Sequence, residues 1–160
     1  MKGYVIIFML FNLFCSCKKD KTEKVDGDYV EFIVFGLQQC VSHTDETCVE
    51  IWKMEPGRIM EAASLEPPVP GAAYNGQYTI QLPAIKYTQI EPLFDGKIPD
   101  DLLNRDSGIL GETTGIFWYF EYKKGDVYKY WLINNNFSET SSISAFKNVI
   151  SQAFSTAQTP

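Results

Sequence analysis

A chain of 160 residues with 14 basic and 20 acidic side chains carries a net charge of −6 and has a mean hydropathy of −0.14. That is the size of one domain with a core of its own. With no run of more than two basic residues to set against phosphates, the composition argues against a nucleic-acid partner, and the acidity suits a basic partner protein or plain solubility.

The chain opens with Lys2 and an apolar run over residues 4–14, interrupted only by Asn12. The run falls short of the roughly 20 apolar residues that span a bilayer and has the length of a secretory h-region. Cys15-Ser16-Cys17-Lys18-Lys19-Asp20 follows. A small residue directly before a cysteine at the end of such a run resembles the lipobox of bacterial lipoproteins, and the charged tract after it resembles lipoproteins of the Bacteroidota. The resemblance implies cleavage before Cys17, acylation of Cys17, and anchoring to the outer membrane on its periplasmic face or at the cell surface. Cys15 fits less well, because Phe14 would stand where a small residue belongs. The resemblance covers about the first twenty residues and implies no activity. Reading residues 1–14 as a buried core helix instead would draw Lys18, Lys19, Asp20, Lys21 and Glu23 toward the interior, where charged side chains are rare. On the lipoprotein reading, residues 1–16 are a signal peptide, 17–27 a lipidated flexible tether and 28–158 a single globular domain. Losing Lys2, the one charged side chain of residues 1–16, takes the net charge from −6 to −7. Stable membrane attachment then rests on more than one acyl chain.

Residues 29–35, Tyr-Val-Glu-Phe-Ile-Val-Phe, predict a strand ended by Gly36. By period two, Val30, Phe32 and Val34 share one face and Tyr29, Glu31, Ile33 and Phe35 the other. A second strand is expected over residues 48–54. Between them lie Cys40 and Cys48 at the ends of a short polar loop. In an exported chain whose Cys17 carries lipid, the simplest reading is a disulfide closing a hairpin. A metal site is the alternative, with Cys40, His43, Asp45, Glu46 and Cys48 as ligands, although the spacing lacks the usual zinc pairs. His43 is the single histidine of the chain.

Glu55-Pro56-Gly57-Arg58 predicts a type II turn, with a short strand over 58–62. Residues 66–76 hold Pro67, Pro68, Pro70, Gly71 and Gly76 and read as an ordered surface loop. Residues 77–82 alternate Tyr78, Ile80 and Leu82 against Gln77, Thr79 and Gln81, a strand with one buried face ending at Pro83. Residues 84–106 admit a short helix or a strand broken by Pro92, followed by one helical turn at 98–103. Residues 107–114 read as loop, and Gly108, Gly111 and Gly115 lack the context of a phosphate-binding motif.

Residues 116–122 and 127–133 flank Lys123-Lys124-Gly125-Asp126 and predict a hairpin with a two-residue turn. Ile116, Trp118, Phe120 and Tyr122 then share a face with Val127, Lys129, Trp131 and Ile133, the better core candidate. Phe117, Tyr119 and Glu121 share the other with Tyr128, Tyr130 and Leu132. A closing helix is expected over 138–154, capped by Ser138 or Ser141, with Ile143, Phe146, Val149, Ile150, Ala153 and Phe154 as its apolar stripe.

The fold class expected is α+β: an antiparallel sheet of about five or six strands with the C-terminal amphipathic helix packed on one face. Nucleophilic hydrolysis needs a base beside the nucleophile, and the single histidine sits between the two paired cysteines. Asp95, Asp100, Asp101 and Asp106 lack the spacing of an EF-hand calcium loop. No metal or other cofactor is expected. Glu121 stands alone among aromatic residues, where burial would raise its pKa; its plainer reading is a glutamate at the rim of a half-exposed strand pair. Tyr119, Glu121, Tyr128 and Tyr130 form the candidate binding surface, fit to stack on a glycan or to anchor a protein partner. The function expected is therefore a non-enzymatic binding module of the cell envelope. A carboxylate-dependent hydrolase, or an inhibitor or immunity protein against a secreted enzyme, are the alternatives.

Overall fold

The computed structural model describes residues 30–38, 49–63, 73–74, 76–137 and 140–160. Its strands are β1 (Val30–Gln38), β2 (Val49–Glu55), β3 (Arg58–Ala62), β4 (Tyr78–Gln81), β5 (Gly108–Leu110), β6 (Phe117–Lys124) and β7 (Val127–Asn134). The helices are α1 (Ala84–Phe94), α2 (Asp100–Leu103) and α3 (Ser141–Gln158). The strands form one sheet in the order β4-β3-β2-β1-β6-β7-β5. Every neighbouring pair is antiparallel except β5 with β7. The fold is α+β with a C-terminal helix, as the sequence predicts, but the sheet has seven strands and is mixed.

The added strand, β5, lies in the stretch read as loop. Three residues offer no periodicity, so its order comes from β7. Gly108 and Ile109 pair with Trp131 and Leu132, the Tyr130 N–H donates to Ser107 Oγ at 3.2 Å, and Trp131 Nε1 donates to the Asp106 carbonyl at 3.0 Å. Gly111 ends the strand at φ +95°, a conformation that side chains with a Cβ resist.

The β6–β7 hairpin has the expected parity. Phe120 lies opposite Trp131 and Tyr122 opposite Lys129, and the pairing of Lys124 with Val127 leaves Gly125-Asp126 as the turn. The turn between β2 and β3 is Pro56-Gly57, with Gly57 at φ +81°. Gly36 does not end β1, which runs on to Gln38. A Cβ at Gly36 would sit 2.2 Å from the Glu50 carbonyl oxygen, so glycine is what allows β1 and β2 to lie this close.

Phe35, Phe120, Tyr122, Trp131 and Ile133 form the main core with the apolar stripe of α3, including Ile143, Phe146, Ile150 and Phe154. The Phe120 ring stacks on Trp131 at 6.1 Å between centroids and meets Phe146 edge-on at 4.8 Å, geometries favoured by the ring quadrupoles. α3 is longer than expected and starts later, its N-cap being Thr140, whose Oγ1 accepts from the Ile143 N–H at 3.3 Å. α1 is a helix despite Pro92 in its last turn. It packs on α3 through Lys86, whose buried ammonium donates to the carbonyls of Thr156 and Thr159. The turn expected at 98–103 is α2.

Two face assignments differ from the sequence reading. Val30 packs on the helix-side core, not beside Phe32, because a register irregularity between Val30 and Phe32 breaks the alternation. In and after β4, Tyr78, Ile80 and Leu82 do not share one buried face: Tyr78 and Leu82 pack on opposite sides of the sheet, a register irregularity lies in the pairing with β3, and Ile80 is 53% exposed on a strand at the sheet edge.

Candidate functional site

The sheet face away from α3 carries the second cluster: Val34, Val49, Ile51, Phe117, Tyr119 and Leu132, with Phe32, Tyr74, Tyr78 and Tyr130 packed against it. All four residues of the candidate binding surface lie on this face. Alternation along β6 puts Tyr119 and Glu121 there, and the ladder places Tyr130 opposite Glu121.

The four part company in exposure. Tyr128 is 42% exposed and Tyr130 partly exposed, whereas Tyr119 and Glu121 are buried, Glu121 at 3%. Glu121 is thus not at the rim. Its two oxygens each accept from a phenol, Oε2 from Tyr119 at 2.6 Å and Oε1 from Tyr128 at 2.8 Å. Tyr119 in turn accepts from the backbone N–H of Tyr74 at 2.7 Å. The chain of bonds runs from the Tyr74 backbone amide through Tyr119 and the Glu121 carboxylate out to the exposed ring of Tyr128.

Burial pushes the Glu121 carboxyl above its ordinary range, against the two phenol donors, which favour the charged form. The phenols of Tyr119, Tyr128 and Tyr78 are pushed up, first by burial and then by the adjacent Glu121 charge. The ionisable groups packed around Glu121 are therefore tyrosines, with Lys53 also acting on its charge. Lys53 is held by Glu55 at 2.7 Å and lies over the Phe32 ring, 4.4 Å from its centroid.

Above this network lies an aromatic surface. Tyr128 meets Phe32 edge-on at 6.2 Å and Tyr130 at 6.3 Å. Tyr74 meets Tyr78 and Tyr119, each at 6.1 Å. The contributions of Phe32, Tyr74 and Tyr78 are the part that sequence reasoning missed. The strand signal at Phe32 was visible, whereas residues 66–76 carry only proline and glycine signals with no periodicity to aim Tyr74.

Cys17, and Cys40 and Cys48 with His43, Asp45 and Glu46 between them, lie outside the described residues. Gln38 faces Val49 across the β1–β2 ladder, which makes the two strands the arms of a hairpin around that loop. Among the described residues no three histidine, cysteine or acidic side chains gather as a metal site, and no helix is long and apolar enough to cross a membrane. No protein-family model, curated protein or solved structure matches the chain.

Proposed function

We propose that the chain is a lipid-anchored protein of the bacterial cell envelope whose globular domain binds a partner, protein or glycan, without catalysing a reaction. Cys17 carries the acyl chains after removal of residues 1–16, and a Cys40–Cys48 disulfide closes the β1–β2 hairpin. The lipobox-like Ser16-Cys17 supports the anchor. The opposed positions of Gln38 and Val49 support the disulfide, because they bring the two ends of the loop to adjacent strands.

The observation that carries the binding reading is the exposed ring of Tyr128, flanked by Phe32 and Tyr130 and held from beneath by Glu121. A ring locked by a buried hydrogen bond loses little freedom when a partner covers it, and tyrosine is a favoured anchor of interfaces. The acidic net charge suits a basic partner.

The test is capture from envelope and secreted extracts on the immobilised protein, with Tyr128→Ala and Tyr130→Ala as parallel baits. Saturable, salt-sensitive capture that both variants weaken supports the reading; capture indifferent to both sinks it. Intact-mass analysis of the exported protein tests the rest. It should show residues 1–16 removed, an acyl addition at Cys17, and a mass about two hydrogens below the dithiol.

A further inference from the structure

On the helix side of the sheet, a cleft of about 800 Å³ opens where the end of α1 overhangs the adjoining ends of β1, β2 and β6. Its volume falls among those of small-molecule sites, which combine apolar walls with a few placed polar groups. Ile33, Met54, Phe94, Leu103 and Tyr122 supply apolar wall. Glu55, Glu91, Asp95 and Lys124 supply the charges.

These charges are not equivalent. Glu55 is already neutralised, paired with Lys53 at 2.7 Å and with Arg58; burial alone would raise its pKa, but hydrogen bonds from both cations hold it below the usual value. Glu91 and Asp95 stand in the last turn and at the C-cap of α1. That end of a helix presents carbonyl oxygens and partial negative charge, and stabilises cations rather than acids. No basic residue occupies the last turn of α1. Tyr87 donates to Glu91 Oε1 at 2.6 Å, which fixes that carboxylate in place. Two acids at the wrong end of a helix, beside an apolar hollow, break a local rule that the one hydrogen bond to Glu91 offsets only in part, and such departures concentrate at functional sites.

We propose that this cleft binds a small organic cation, an amine or quaternary ammonium joined to an aromatic or aliphatic body. The body packs against Val30, Ile98 and Leu103 over the accessible edges of Met54, Phe94 and Tyr122, and the charge lies by Glu91, Asp95 and the carbonyl end of α1. Lys124 also lines the cleft but is already engaged within the fold, so Glu91 and Asp95 set the sign of the ligand charge. The site meets the tyrosine surface only at Phe32, which lines both, and does not depend on the partner reading.

The probes are 4-phenylbutylamine and 4-phenylbutyrate, which share a body and differ in charge, titrated into the ¹⁵N-labelled full chain. The amine is expected to bind saturably, shifting amides at Met54, Phe94, Asp95 and Tyr122, with the carboxylate at least about tenfold weaker, a difference of about 1.4 kcal/mol. Glu91→Gln combined with Asp95→Asn should weaken the amine by about tenfold. Ile98→Trp, which narrows the cleft, should abolish binding, and Tyr128→Ala should leave it unchanged. Equal or tighter binding of the carboxylate, shifts confined to other residues, or no saturable binding of either probe overturns the proposal.

Discussion

The ammonium of Lys86 lies 2.9 Å from the carbonyl oxygen of Thr156, so a buried cation on α1 closes the C-terminal end of α3. It donates to Thr159 as well. The last carbonyls of a helix lack partners within it and carry partial negative charge, and one side chain answers both needs.

Lys86→Met keeps the length of the side chain and removes its donors, leaving those carbonyls short of partners beneath α1. A loss of about 1–3 kcal/mol is expected, measured as a lower urea midpoint with an unchanged slope. Lys86→Arg should recover part of it.

The pH dependence of stability should report Glu121. Its carboxyl is raised in the folded protein, chiefly by burial, so between the unfolded and the raised folded value the native state binds more protons than the unfolded one. Stability from this group is therefore fully present below the unfolded value, near pH 4, and is lost as pH rises through the folded value. Glu121→Gln removes the titration. Its melting temperature relative to the parent should improve from pH 4 to pH 8, and a difference flat across that range would refute the assignment.

Gly36→Ala would place a methyl group 2.2 Å from the Glu50 carbonyl oxygen and 2.8 Å from Ile51 Cα. Since both are backbone atoms, the strands must part. A loss of about 1–3 kcal/mol is expected, with faster amide exchange at Ile51 and at Tyr119, the residues paired with Gly36 on its two sides.

Thr140→Ala should cost about 1 kcal/mol through loss of the α3 cap. Asp101 accepts from Thr140 Oγ1 at 2.7 Å and from Ser142 Oγ at 2.8 Å. These bonds hold its carboxyl below the usual range. Its contribution is present above the unfolded value and lost as pH falls through the folded one, so the effect of Asp101→Asn should shrink in acid.

The β6–β7 hairpin was legible because aromatic alternation, a glycine turn and residue parity all agree on one register. The stripe from Ile143 to Phe154 was legible for the same reason: each residue repeats the same instruction. Val30 was assigned to the wrong face because one irregular position inverts parity, and strand composition carries no mark of it. β5 was missed because three residues cannot show a period, and its partner β7 lies further along the chain. Parity alone puts Tyr119, Tyr128 and Tyr130 on one face, but Tyr74 and Tyr78 beside them, and the depth of Glu121, were not legible. Tyr74, which bonds and packs on Tyr119, reaches the sheet from a stretch marked only by loop residues. The cleft was invisible for a related reason, since its walls come from three strand ends and two helices that meet only in the fold.

β1 lies between β2, which follows it closely, and β6, so the centre of the sheet joins residues 30–38 to residues 117–124. Pairings between such distant segments form slowly, because the intervening loop must close before any contact rewards it. A chain threaded through a membrane from its N-terminus would hold β1 with one edge unpaired until β6 had crossed. The topology itself therefore delays completion of the sheet until residues 117–124 are available, and until then the strand that becomes its centre presents an open edge.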